Sequence, residues 1–353
     1  MRAWLDEPSV WAANPSSIHA EGQRARAAVE TARRQVAECV GGNLADIVFT
    51  SGATEANNLA LRSLPHPIAT TAVEHPSVLS AAVPLLTLPV DAHGRLPAPD
   101  AFVADAVARG AKSISVMLAN NETGNLHPVA EIAAAARAAG LRVHCDATQA
   151  VGRVPVHALD LGVDLLSFSS HKMGGPKGIG ALWVDPDTVL DVLIRGGHQE
   201  RGRRGGTENV LGAVGFGAAA AALADDDLPR IAALRDKLWA GIALIDARAR
   251  VNGDPDARLP NTLNVRFPDV DGEGLLMNLD LEGIAASAGS ACSAGSLEPS
   301  HVILAMGVPE REARGSVRFS LGRDTTDDDI DYALERLKMI LARLRAPGWG
   351  APP

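Results

Sequence analysis

The sharpest chemical feature of this chain is a lysine that follows hydroxyl residues and a histidine at the end of an apolar run. In "SFSSHKMGGPKG" that run ends in Ser169, Ser170 and His171, then Lys172, then a Gly-Gly-Pro loop. A lysine held at such a point and partly withdrawn from water can lose its proton and form a Schiff base. The simpler alternative is a surface lysine in a turn, and nothing sets Lys177, one short turn later, apart from that alternative. "SGATE" places Gly52, Ala53 and Thr54 between a strand and a helix, where open backbone N–H groups and the helix dipole favour an anion. An ordinary N-cap would use the same residues. "VHCDATQ" puts Asp146 at a strand end, sharing a face with His144 while Cys145 takes the other. Such an aspartate either caps a loop or balances a bound cationic ring. "GSACSAGSLEPS" sets Cys292 among residues too small to bury much apolar area, which suits a reacting thiol better than a packed one. Cys39 and Cys145 read as small buried apolar residues.

These groups need elements that end where they stand. "IVFTSG", "IATTAVEH", "SISVMLAN", "LRVHCDA", "DLLSFSSH" and "GALWVD" are short apolar runs, several separated by helical stretches. A helix from about Glu21 to Val40 precedes them. The clearest of the later helices is "PVAEIAAAARAAG", with Pro128 in its first turn and Gly140 at its end. Strands alternating with helices imply a mainly parallel sheet covered on both faces, with functional groups at the carboxyl ends of the strands. Near Leu223 the pattern changes. "ALADDDLPR" is a boundary, and Pro229 opens a long helix. There follow "TLNVRF" as a strand, a helix over Glu273–Leu281, the Cys292 loop, "SVRFSL" as a strand and a helix from Thr326 to Leu344. This is a smaller α+β unit.

The 353 residues suit two packed units, and a net charge of −9 argues against general binding to a phosphate backbone. Direct nucleic-acid and membrane partners are not expected, because no apolar run reaches spanning length and the first residues lack a signal-type apolar segment. Three scattered cysteines without zinc-type spacing point to a reducing, cytoplasmic compartment.

"NPSSIH", "TSGATEANNLAL", "NNETG", "DATQAVG", "SFSSHKMGGPKGIGAL", "GGHQERGRRGGT", "GSACSAGSLEPS" and "SVRFSLGR" occur in this order. Together they resemble the pyridoxal-phosphate cysteine desulfurases of the NifS/IscS type, from about Asn14 to about Arg345. The resemblance implies fold type I of the pyridoxal-phosphate-dependent transferases, with a mainly parallel seven-stranded sheet in a large domain (14–225). A small C-terminal α+β domain (226–345) would carry the Cys292 loop, with residues 1–13 packing against it and 346–353 as a tail. It implies pyridoxal 5'-phosphate on Lys172, Asp146 against the ring nitrogen and Gln149 on the ring's phenolic oxygen. Ala53, Thr54, Ser169 and His171 would hold the phosphate, with Ser170 beside it. His75 would stack on the ring and move protons, where the residues alone suggest a helix-capping histidine. Asn121 and Arg318 would contact cofactor and substrate carboxylate, for which a guanidinium fork is well shaped. Thr207 would reach the cofactor phosphate of a second copy in a homodimer; Arg201–Arg204 beside it could otherwise be a solvated patch.

The implied reaction takes sulfur from L-cysteine, leaving alanine and a persulfide on Cys292. An acceptor protein, either an iron–sulfur scaffold or a thiolation enzyme, would then receive the sulfur. With a scaffold partner, Cys292 is further implied as a transient iron–sulfur ligand. The loop with "GSLEPS" after the cysteine resembles the IscS/NifS branch rather than the SufS branch. Two departures stand out: only thirteen residues precede Asn14, where the family has a strand and a helix, and the chain stops soon after its last helix. The alternatives are an aminotransferase or kynureninase-like hydrolase, neither of which needs Cys292, a selenocysteine lyase, or a shortened homologue without activity.

Overall fold

A computed structural model of the chain describes residues 12–223, 227–288 and 299–346. Two units emerge. The first takes residues 12–88, 98–118 and 128–223; the second takes 89–97, 119–127, 227–288 and 299–346. The division is therefore not a single cut, and Asn121 groups with the second unit. The expectations for residues 1–13 and 346–353 fall almost wholly on residues outside those described.

The first unit opens with helix α1 (Ala20–Glu38), whose buried residues Ala25, Val29, Ala32 and Val36 recur every three to four positions. Strand β1 (Ile47–Thr50) and helix α2 (Ala53–Ser63) follow, then β2 (Ile68–Thr71), β3 (Leu85–Leu88), α3 (Pro99–Ala108), β4 (Ser113–Met117), α4 (Val129–Ala138), β5 (Arg142–Asp146), β6 (Leu165–Ser169), β7 (Gly180–Val184) and α5 (Val210–Ala221). The seven strands make one sheet in the order β1-β7-β6-β5-β4-β2-β3. The pairings of β2 with β3 and β4, β4 with β5, and β5 with β6 are parallel; β7 runs antiparallel to both neighbours. This is the mainly parallel sheet expected from the alternating pattern. Strand β3 was not legible as an apolar run of that kind. It lies at the sheet edge, is only partly buried, and is flanked by Pro84 and Pro89.

Helix α2 packs Ala56, Leu59 and Ala60 with Val48, Leu165 and Leu182 of the sheet, and Val78 of a short helix (Pro76–Leu79) joins that cluster. Helices α1 and α5 approach so closely that a Cβ at Gly217 would lie 2.7 Å from the Ala32 Cα. Phe216 of α5 meets Phe49 and Phe168 of the sheet, with ring centroids 6.2 and 5.7 Å apart.

The second unit holds α6 (Leu228–Ile245), β8 (Arg250–Val251), β9 (Thr262–Arg266), α7 (Gly272–Leu281), β10 (Ser316–Ser320) and α8 (Asp327–Leu344). Its sheet is antiparallel in the order β10-β9-β8. Leu238, Ile242, Leu263, Val265, Leu275, Leu279, Val317, Leu337 and Ile340 form its core. Helix α8 starts on a capping box in which Thr326 and Asp329 satisfy each other's backbone N–H groups.

Candidate active site

Strand β6 delivers the lysine. It ends at Ser169 and turns directly into a short 3-10 helix (Ser170–Met173), which Gly174 terminates in the left-handed conformation at φ 84°. Lys172 is half-buried on that turn, whereas Lys177 is exposed. Ser169 Oγ lies 2.9 Å from His171 Nδ1. Burial and then the nearby charges of Lys172, Lys177 and Arg153 hold the His171 pKa below its usual value. The surroundings are therefore cationic and receptive to an anion. The N-terminus of α2 faces this turn. Its cap, Gly52, gives no side-chain hydrogen bond to the first helical N–H groups, and a Cβ there would stand 4.0 Å from Ser169 Oγ. Gly52, directly before Ala53 and Thr54, is thus brought near Ser169. The Ser170 hydroxyl is buried without a hydrogen-bond partner.

Strand β5 delivers the aspartate. The buried carboxylate of Asp146 accepts from Thr148 N (2.9 Å) and from Asn57 Nδ2 (2.7 Å), leaving a further lone pair on each oxygen. His144 lies two residues before it, fully buried between the hydroxyls of Ser115 and Ser167 at 2.9 Å each, and burial lowers its pKa to about 4. Glu74 is also buried near Asp146. Burial foremost, and then the Asp146 charge, raise its pKa to about 8, so near neutral pH Glu74 is largely protonated. His75 starts the short helix that follows β2; its Nδ1 accepts from Ser77 N at 3.1 Å and lies 2.8 Å from Ser77 Oγ. The helix-cap reading of this histidine is therefore correct as far as its Nδ1 goes. Gln149 is clamped by Arg153, whose Nη1 donates to its Oε1 at 2.9 Å and its backbone oxygen at 2.8 Å. Arg153 Nη2 also donates to the backbone oxygen of Lys172 at 3.0 Å, tying the two loops together.

Asn57, Ser77, Glu74 and Arg153 were not singled out in the sequence. Asn57 lies three residues after Thr54 and Arg153 four after Gln149, spacings that bring side chains to one side of a helix or turn. That periodicity was the available signal. The arginines of the basic run near Thr207 are bonded to neighbouring groups, with Arg201 still exposed. Arg201 donates to the backbone oxygens of Leu44 and Ala45, Arg203 to those of Ala45 and Ile47, and Arg204 pairs with Glu55 at 2.9 Å. Glu200 is buried in a two-bond pair with Arg33 at 2.6 and 2.9 Å. Thr207 itself is exposed.

The second unit brings together the other two expected residues. Arg318 on β10 donates through Nη1 to the backbone oxygen of Asn121 at 2.6 Å, and the Asn121 Oδ1 is buried without a hydrogen-bond partner. The Arg318 backbone also pairs with Ser287 in both directions, at 3.1 and 2.7 Å. Ser300 donates to Glu122, next to Asn121. Cys292 lies outside the described residues. The other two cysteines are poor nucleophiles: burial pushes the Cys39 thiol up to about 12, and burial, Asp146 and Glu74 push Cys145 well above the usual range. Among the described residues no helix is long and apolar enough to cross a membrane, and no cluster of His, Cys, Asp and Glu could hold a metal ion.

The model of the aminotransferase class-V family matches residues 1–333. A cysteine desulfurase of Gluconacetobacter diazotrophicus is 46% identical, across 95% of this chain and 88% of its own length. The cysteine desulfurase NifS of Azotobacter vinelandii is 44% identical over the same shares. Among solved structures, a NifS-like protein from Rickettsia africae superposes with a TM-score of 0.88 at 31% identity, covering 97% of this chain and 95% of that one. The chain belongs to the aminotransferase class-V family, within its cysteine desulfurases. Its fold is type I of the pyridoxal-phosphate-dependent enzymes, and pyridoxal 5'-phosphate is its cofactor. The residues of the first unit fit that group. The uncapped helix end, the cationic surroundings of His171 and the orphaned Ser170 hydroxyl suit a phosphate, and the Asp146 carboxylate suits a protonated ring nitrogen.

Proposed function

We propose that the chain takes sulfur from L-cysteine onto Cys292 and releases L-alanine. One C–S bond breaks and one S–S bond forms, so cysteine and a thiol become alanine and a persulfide with all atoms accounted for. The observation that carries the reading is the convergence at neighbouring strand ends. Strand β6 supplies Ser169, His171 and Lys172 against the open end of α2, while β5 ends in Asp146. Lys172 would hold the cofactor. Ala53, Thr54, Ser169 and His171 would bind its phosphate with Ser170 beside them, Asp146 would pair with the ring nitrogen, Gln149 would meet the phenolic oxygen and His75 would stack on the ring. When bound, the cofactor supplies an electron sink for the substrate's α-carbon. The protein's own part is to hold that ring, to take the α-proton on the Lys172 amine, and to bring a thiolate to the substrate sulfur.

Asn121 and Arg318 are the proposed contacts to cofactor and substrate carboxylate, supported by their bond to each other. Residues 14–225 would form the cofactor domain and 226–345 the domain that presents Cys292. Exposed Thr207, on a segment tied down by its neighbouring arginines, would serve the cofactor of a second copy, making the working unit a cytoplasmic homodimer. The persulfide would pass to an acceptor protein, an iron–sulfur scaffold or a thiolation enzyme. With a scaffold, Cys292 would also serve as a transient ligand to the growing cluster. Alanine and sulfide release from L-cysteine under a thiol reductant tests the reaction. Stoichiometric alanine supports it; transfer of the amino group to a keto acid without sulfur release would point instead to an aminotransferase.

A further inference from the structure

A chain of hydrogen bonds runs from Asp146 to His75, and its direction is fixed at both ends. At one end the carboxylate offers only lone pairs, so the Asn57 group facing it at 2.7 Å must be the amide nitrogen. The second hydrogen on the same nitrogen goes to Ser77 Oγ at 2.8 Å. At the other end, the Ser77 backbone N–H can only donate, and it donates to His75 Nδ1 at 3.1 Å. Because that N–H already makes Nδ1 an acceptor, the Ser77 hydroxyl, 2.8 Å away and accepting from Asn57, turns its hydrogen to the same Nδ1. The orientation has a visible cost: the Asn57 Oδ1 is buried with no hydrogen-bond partner. Flipping the amide would bring that oxygen against the carboxylate, which is worse. Val78 packs in one cluster with Ala56, Leu59 and Ala60 of α2, which locks Ser77 and Asn57 in register.

We propose that Asn57 and Ser77 are positioning residues that hold His75 as the tautomer with its proton on Nε2. Asp146 accepts from Asn57, Asn57 donates its second hydrogen to the Ser77 hydroxyl oxygen, and two donors then converge on Nδ1. A proton on Nδ1 would displace the backbone donor and make the hydroxyl turn to accept. His75 thus offers an N–H from Nε2 and keeps Nδ1 out of the chemistry. For its catalytic consequence the inference rests on the placing of His75 beside the cofactor ring proposed above: the carboxylate that would pair with the ring nitrogen also sets the proton of the stacked imidazole. The tautomer follows from the Nδ1 contacts just described.

The test is 15N NMR of the holoenzyme labelled at histidine, with His75 identified by its absence in His75→Gln. Wild type should show an unprotonated Nδ1 and a protonated Nε2. In Ser77→Ala the backbone donor remains and no oxygen is left to accept from Nδ1–H, so the tautomer should persist with a shifted Nδ1 signal. In Asn57→Leu the Ser77 hydroxyl loses the donor that holds its orientation, so a second population with Nδ1 protonated should appear, and adding Ser77→Ala should remove it. A protonated Nδ1 in wild type, or an Nδ1 signal unmoved in Ser77→Ala, would overturn the proposal even if Asn57→Leu failed to fold. None of these spectra depends on turnover of L-cysteine, so a failed desulfurase assay and a failed tautomer assignment are separate outcomes.

Discussion

At the scale of single residues, Lys172 and Lys177 form an internal comparison. They are five positions apart, yet one is half-buried on the turn after β6 and the other exposed. Lys172→Ala is expected to abolish the visible absorbance of bound cofactor, and Lys177→Ala to leave it intact; equal loss in both would indicate misfolding rather than a lost attachment point. Asp146→Asn is expected to keep most of the cofactor, since the proposed attachment at Lys172 and the proposed phosphate contacts remain. Turnover should fall about a hundredfold, the equivalent of two pKa units in the preference for a protonated ring nitrogen. Steady-state kinetics beside a cofactor titration separates the two effects, and unchanged turnover would make Asp146 a loop cap. Lys172, Asp146 and His171 were legible because each closes an apolar run, a place where a charge needs a reason. Asn57 and Arg153 were not, because their roles exist only once α2 meets β5 and the loop after β5 meets the loop after β6.

At the scale of elements, the phosphate end of the site depends on how closely β7 passes behind the α2 N-terminus. A Cβ at Gly180 would stand 2.7 Å from the backbone of Gly52, where no flexible side chain can yield. Gly180→Ala should therefore weaken cofactor binding through a displaced Gly52–Thr54 segment and lower stability by roughly 1–3 kcal/mol, the usual range for overpacking. Thermal denaturation with and without cofactor would reveal both effects; an unchanged cofactor affinity would show that the segment is not held by this contact. The helices were readable from caps and periodicity, as with the Thr326 cap of α8. The edge strand β3 was not, because a four-residue, half-exposed segment between prolines carries no burial pattern. Nor were the two strips 89–97 and 119–127, whose grouping with the second unit is a matter of long-range contact rather than local sequence.

At the scale of the whole molecule, buried titratable groups give stability a defined pH profile. His127 and His144 have an ordinary value of 6.5 and lie near 4 in the fold, chiefly through burial. The unfolded chain takes up their protons first, so their contribution is lost as pH falls from 6.5 towards 4. Glu74 has an ordinary value of 4.5 and lies near 8 in the fold, so the unfolded chain releases its proton first and stability falls as pH rises between those values. From these groups, stability should peak near pH 6.5, and Glu74→Gln should flatten the decline on the alkaline side; urea midpoints across this range would show it, and an unaltered decline would remove Glu74 from the explanation. The change of pattern near Leu223 lies close to one of the divisions between the two units, and the proposed sulfur transfer rests on Cys292. The most direct measurement is mass spectrometry after incubation with L-cysteine, alongside alanine release. Wild type, Cys39→Ser and Cys145→Ser should each carry an added sulfur on Cys292. Cys292→Ser should retain the cofactor but carry none, because a hydroxyl is a far poorer nucleophile than a thiolate. Release of alanine and sulfide by Cys292→Ser at the wild-type rate would contradict the assignment of sulfur acceptance to this residue.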